Sequence, residues 1–198
     1  MSSQDLPSIL QQLHQNISQN NHQTSTTLLT RAKIALLHQN ALVPTPTTSK
    51  PLLQSAQQVL ETGALISIRL QDPAAFTRYF QQLQPFYTLP SSSGKHSQRS
   101  KVTGLYLLLL LSQGDYAGFH TLLEGLDVAA NQAHEQGTGK GLEEDEFVQY
   151  PIRLEQWLME GSYDRVWDET KSERVPSEEF AIFSDVSRNL SRRRLSSR

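Results

Sequence analysis

Apolar residues along the chain recur three and four positions apart, the spacing of one helix face, and no run alternates apolar and polar residues between hairpin turns. Leu6, Ile9, Leu10, Leu13 and Ile17 form such a stripe within a Gln- and Asn-rich start, which predicts an outer, weakly packed helix. A second stripe, over Ser25 to Leu42, holds Leu28, Leu29, Ala32, Ala35, Leu36 and Leu42. Pro44, Pro46 and Pro51 then stop the helix, because proline lacks the amide donor and clashes with the preceding turn. A new helix is predicted from about Pro51 through Ile68, and another from the Asp72-Pro73 pair, with Asp72 as N-cap. After Phe86 and Tyr87 comes a polar Ser-rich loop, then a helix from about Ser97 to Gln113. Its LYLLLLL core is apolar on nearly every side and so calls for neighbours all round. A second loop is expected over 131–141, followed by Glu143, Glu144, Asp145 and Glu146, acids suited to the first turn of the next helix.

Three predicted junctions look alike: QDPAAFTRYF from Gln71, GDYAGFHTLL from Gly114 and GSYDRVWDET from Gly161. Each has a turn residue, then an N-cap (Asp72, Asp115, Ser162), then an apolar residue four positions on (Phe76, Phe119, Val166), at intervals of 43 and 47 residues. Helix-turn-helix repeats have periods in this range. The expected fold is all-α, with antiparallel helix-hairpin repeats stacked as a TPR- or HEAT-like α-solenoid; an irregular helical bundle is the alternative. Tyr116 and Tyr163 are expected to pack back across their turns.

Composition narrows the chemistry. The 198 residues include no cysteine, which excludes thiolate zinc sites, thiol catalysis and disulfides and suits a reducing compartment. The first ten residues, MSSQDLPSIL, lack the basic start and apolar core of a secretory signal. The most apolar run, Leu105 to Leu111, is far short of the ~20 residues of a membrane-spanning helix. Of 18 basic residues, Arg188, Arg192, Arg193, Arg194 and Arg198 fall in the last 11 positions with no acid; the other 13 face 20 acids, a net of −7. An acidic body should repel nucleic acid, leaving only the tail to attract it.

Candidate chemistry is sparse. GTGKG resembles a phosphate-binding loop, but His134 stands where the first Gly is needed and Gly141 where a Ser or Thr should follow Lys140. His14, His22, His38, His96, His120 and His134 show no metal-ligand spacing, and Glu155 with Glu160 or Asp164 with Asp168 read as solvated helix acids. No catalytic, cofactor or metal residues are assigned. Arg192-Arg193-Arg194-Leu195-Ser196 reads as a kinase target with phosphorylation at Ser196, as a basic patch for polyanions, or as an unstructured end.

Two stretches go beyond pattern. GLYLLLLLSQGDYAGFHTLLEGL from Gly104 and YPIRLEQWLMEGSYDRVWDE from Tyr150 resemble the PCI-type family of small 26S proteasome lid subunits. The wider family includes the smallest subunit of the COP9 signalosome and subunit k of translation initiation factor three. The most specific run is Leu154, Glu155, Gln156, Trp157, Leu158, Met159, Glu160, Gly161, Ser162 and Tyr163, which favours the proteasome branch; IRLQDPAAFTRYFQQLQPFY from Ile68 fits as a preceding hairpin.

The resemblance implies a structural subunit that is not an enzyme, resides in cytoplasm and nucleus, and acts in assembly and ubiquitin-dependent degradation. Its partners would be other lid subunits and the ATPase base, without cofactor, small-molecule substrate, nucleic acid or membrane. It implies three segments: residues 1–50 as N-terminal helices and Pro-rich linker, 51–186 as the helical-repeat domain, and 187–198 as an Arg/Ser-rich disordered tail. Family members continue into a winged helix, whereas here Val186 is followed by SRNLSRRRLSSR. The winged helix is therefore expected to be missing or incomplete, leaving an apolar face of Phe180, Ile182 and Phe183 uncovered. The alternative reading is a stand-alone helical adaptor, or an initiation-factor or signalosome type of subunit, with a phosphorylatable basic tail.

Overall fold

A computed structural model describes residues 5–18, 22–45, 48–89, 97–135, 145–171 and 175–181. Eight helices are present among the described residues, and no strand. They are α1 (Asp5–Ser18), α2 (His22–His38), α3 (Lys50–Arg69), α4 (Pro73–Tyr87), α5 (Arg99–Gln113), α6 (Tyr116–Glu135), α7 (Glu146–Met159) and α8 (Tyr163–Lys171). The all-α expectation holds. The chain divides into two compact units, 1–102 and 103–198, and the division falls within α5.

In the first unit α1 packs on α2 and α3, α2 on α3, and α3 on α4. Ile9, Leu10 and Leu13 are buried, so α1 is better seated than its polar composition suggested. The reason is that its apolar stripe is unbroken even though the rest of the helix is Gln and Asn. α2 stops at His38, short of the expected Leu42. Asn40 adopts a left-handed conformation (φ 49°), and the Ala41 amide donates back to the Leu36 carbonyl, closing the helix. α3 starts with Pro51 in its first turn and is buried continuously from Val59 to Ile68, wherever its side chains point.

That buried run includes a carboxylate. Glu61, 2% exposed, accepts from Gln57 Nε2 at 2.8 Å, Ser97 Oγ at 3.1 Å, Tyr87 Oη at 3.3 Å and the Gln98 amide at 2.9 Å. Gln98 supplies the carbonyl that receives the first bond of α5, from Val102, so Glu61 sits at the positive end of that helix. Four donors satisfy a charge whose burial would otherwise cost several kcal/mol. Burial, reinforced by the neighbouring Glu61, pushes the Tyr87 phenol well above its usual range. Arg99 lies over the same ring, 5.3 Å from its centre.

The second unit contains α6, α7, α8 and most of α5. Leu105 and Leu107 to Leu111 are all nearly inaccessible, as an all-round apolar helix requires. α6 continues through Glu135, correcting the loop expected to begin at residue 131; Val128, Ala129, Ala130 and Ala133 are compatible with another turn of helix, and no Gly or Pro intervenes before Gly137. Of the acidic cluster, Asp145 is the N-cap and Glu146 the first-turn acid; Glu143 and Glu144 lie outside the described residues, as does GTGKG. Phe180 corrects another expectation. It is fully buried rather than uncovered, with its ring centre 5.8 Å from those of Phe147 and of Tyr150. Ile182 and Phe183 lie outside the described residues.

The three similar junctions have one construction. Gln71 (φ 55°), Gly114 (φ 76°) and Gly161 (φ 74°) are left-handed. Their amides donate to Ile68, Leu111 and Leu158, and the next amides (Asp72, Asp115, Ser162) reach back five residues to Ser67, Leu110 and Trp157. This pair of bonds is the Schellman closure. The carbonyls of Asp72, Asp115 and Ser162 then accept from Phe76, Phe119 and Val166, opening the next helix. In the first two junctions the Asp Oδ1 also caps the amide three residues on, at 2.9 Å in each case.

Candidate interaction surface

The family-like motif occupies the end of α7, the turn, and the first residue of α8. α7 is divided by its sequence into two sides. Val148, Tyr150, Pro151 and Leu154 are buried, while Arg153, Gln156 and Met159 are exposed. Pro151 has no amide to give the Phe147 carbonyl, one turn earlier. α5 approaches that carbonyl closely: a Cβ on Gly104 would collide with it, and would also stand 3.1 Å from the Phe180 ring. Glycine in α5 and proline in α7 together allow two backbones to meet.

The ten motif residues divide by role. Leu154 is core at 3% exposure, and Trp157 and Leu158 are half-buried. Glu155, mostly covered, lies 3.4 Å from His120 Nε2 on α6, so His120 points outward onto α7 and its ring also meets Phe119 edge-on. Gln156 Nε2 donates to Glu160 Oε1 at 3.2 Å, and Glu160 caps α7 with its amide. Gly161 and Ser162 make the Schellman turn. α8 is tied to α7 by packing and by Arg153 Nη2 to Glu169 Oε1, 3.7 Å apart.

Met159 and Tyr163, on either side of the turn, are 57% and 50% exposed. Tyr163 was expected to pack back across its junction. Half of the Tyr163 side chain is instead open to solvent. Two large, mostly apolar side chains at the surface, next in sequence to the exposed Glu160 and Asp164, form a feature suited to protein contact.

Of the carboxylates noted in the sequence, Glu155 pairs with His120 and Glu160 with Gln156, while Asp164 and Asp168 are exposed. Among the described residues no group of three His, Asp or Glu could hold a metal ion, and no helix is long and apolar enough to cross a membrane. Ser196 and the whole Arg-rich segment lie outside the described residues. Glu61 went unnoticed in the sequence; the available signal was a lone carboxylate in a helix otherwise apolar on several sides.

Eight helices, three of whose connections share one turn construction, make the described part of this chain all-α. A family model, CSN8/PSMD8/EIF3K, matches residues 97–196, and the chain belongs to that family. It is 38% identical over 166 residues to the 26S proteasome regulatory subunit RPN12 of Saccharomyces cerevisiae, covering 80% of this chain and 57% of the relative. The Schizosaccharomyces pombe rpn12 protein is 38% identical over 159 residues, covering 80% and 53%. The 26S proteasome non-ATPase regulatory subunit 8 homolog A of Arabidopsis thaliana is 31% identical over 174 residues, covering 83% and 58%. The chain thus spans a little over half the length of these relatives, and the family match runs into the Arg-rich segment as far as residue 196.

Proposed function

We propose that the chain is a non-catalytic structural subunit of the 26S proteasome regulatory particle, acting in lid assembly and ubiquitin-dependent degradation through contacts with other lid subunits and the ATPase base. The observation that carries this reading is the 38% identity to RPN12 over 80% of the chain. The surface around Met159 and Tyr163 supports it, because exposed apolar side chains on a packed helical hairpin suit a subunit interface better than a substrate pocket. The chain works in cytoplasm and nucleus, with no cofactor and no small-molecule substrate. Residues 51–186 act as the repeat domain that presents the interface, and residues 1–50 and 187–198 flank it.

The test is affinity purification of the tagged full chain from its own cells, with quantitative mass spectrometry. Stoichiometric recovery of lid subunits is expected. Recovery of initiation-factor or signalosome subunits in their place, or of no complex, overturns the assignment.

A further inference from the structure

A second surface lies in the first unit, on α2. This 17-residue helix contains no Asp or Glu. Ser25, Leu29, Ala32, Ala35 and Leu36 are buried along one side, and at helical spacing the opposite side presents Arg31, Ile34, Leu37 and His38. Ile34 and Leu37, nearly one turn apart, are 44% and 59% exposed. Cations flank them on both sides. Arg31 lies along one edge; along the other is Lys33, whose Nζ stands 4.0 Å above the Tyr79 ring of α4. Next to it is Arg78, exposed, whose guanidinium joins with burial in pulling the Lys33 ammonium below its ordinary range.

Little in the unit offsets these charges. Residues 1–102 hold eight Lys and Arg against three acids, a net of +5. Of those acids, Glu61 is enclosed by its four donors and Asp72 caps α4; the Asp5 side chain lies outside the described residues. Arg31, on the same helix as the two exposed aliphatic side chains, and Arg78, which acts on Lys33 at their edge, are both exposed, and guanidinium groups keep their charge.

We propose that this face of α2 is a docking site for an acidic amphipathic helix of a neighbouring subunit, with its apolar residues on Ile34 and Leu37 and its carboxylates on Arg31 and Arg78. Charge complementarity selects the sign of the partner, and guanidinium groups suit carboxylates because they can bind them through two parallel hydrogen bonds. The exposed aliphatic pair selects protein over nucleic acid, which would need stacking rings or a denser array of cations. A single helix against helix buries less than the ~1,000 Å² of a self-sufficient interface, so this contact is one of several within an assembly. The inference rests on the proposed lid membership for the source of the partner, but the chemistry of the face does not.

Two measurements test it. In the first, the isotope-labelled full chain is titrated at low salt with a synthetic helix of roughly 18 residues, Leu at helical spacing and Glu elsewhere, and with its Lys-for-Glu counterpart. The Glu peptide should shift amide resonances around Arg31, Ile34 and Leu37 and bind about tenfold more tightly than the Lys peptide. R31E/R78E should remove the preference. Equal binding of both peptides, binding of neither, or tighter binding of single-stranded RNA to the same residues overturns the proposal, whatever complex the chain enters.

In the second, L37C supplies a unique thiol, since the chain has no cysteine. The purified chain is labelled there with a benzophenone and then mixed with the separately purified remaining lid subunits of its source. Irradiation should link it to a subunit segment of net negative charge, with a yield that R31E/R78E lowers about fivefold. A link to a neutral or basic segment, or none in a complex that has assembled, contradicts the docking proposal and leaves lid membership standing. Failure of the unlabelled chain to assemble counts against lid membership, and the peptide titration then decides the docking face by itself.

Discussion

At the scale of single residues, the Glu61 cluster shows how burial changes the chemistry of ordinary groups. Tyr87 keeps its proton in the folded chain, because burial and the Glu61 carboxylate both oppose a second negative charge. In the unfolded chain it ionises near 10.0, as an ordinary phenol side chain does. Below that pH both states carry the proton and the contribution to stability is complete; as pH rises beyond it, only the unfolded chain gains by ionising, and stability falls. The expected loss is about 1.4 kcal/mol per pH unit for this group. Urea midpoints measured from pH 9 to 11 should fall more steeply for the wild type than for Tyr87→Phe; parallel slopes would show that the phenol is not held this way. Tyr79 and Tyr106 are also raised by burial, so the variant should lose part of the slope and not all of it. The caps Asp72 and Asp115 were legible as residue types. The bonds that satisfy Glu61 were not, since Ser97 and Gln98 are 36 and 37 residues distant from it.

The left-handed turn residues link this scale to the next. Gly161→Ala meets open space, so its cost is backbone strain alone, about 1 kcal/mol. Gln71 carries that strain already, and Gln71→Gly should leave stability unchanged or raise it by a few tenths of a kcal/mol. Thermal denaturation of the two variants side by side measures the difference; a loss on Gln71→Gly as large as that on Gly161→Ala contradicts the shared geometry.

At the scale of elements, the turns were read correctly where a Gly or Asp marks them, and misread where the signal came late. α6 passed its expected end because helix-compatible residues continue to Glu135, and α2 ended early at an Asn that adopts the glycine conformation. The contact of α5 with α7 had no single-residue signal. It depends on Gly104 in one helix and Pro151 in another, 47 positions apart, and only folding joins them. Gly104→Ala should therefore cost more than helix propensity predicts: alanine favours an isolated helix by about 1 kcal/mol, yet here it should destabilise by ~2 kcal/mol or more as the helices separate. Equilibrium urea unfolding gives the sign. A stabilised variant would mean that the backbones do not touch.

At the scale of the whole chain, its two units carry opposite charge. Residues 1–102 sum to +5; residues 103–198, with ten Lys and Arg against seventeen acids, sum to −7. The picture of a uniformly acidic body is thereby corrected: the division at 102 separates a basic unit from an acidic one, and a running sum over 1–187 had hidden the difference. The two proposed contact surfaces accordingly lie in units of opposite charge, Met159 and Tyr163 in the acidic one and Ile34 and Leu37 in the basic one. The double variant M159S/Y163S removes exposed apolar area without touching the core. It should leave the urea midpoint within about 0.5 kcal/mol of wild type while lowering recovery of lid subunits severalfold. Undiminished recovery would exclude this hairpin as an interface.

Local order was determined by the sequence alone. Helical periodicity, prolines and capping residues act within four or five positions, so the all-α class, most helix starts and the three repeated turns follow from neighbours along the chain. The motif Leu154 to Tyr163 carried the family resemblance by its residues alone. Tertiary structure decided which of those residues are core and which are surface: Leu154 is buried while Met159 and Tyr163 are not. It also decided that Glu61 is enclosed and that Phe180 is covered. Burial is a property of what arrives from distant parts of the chain, and no local pattern contains it.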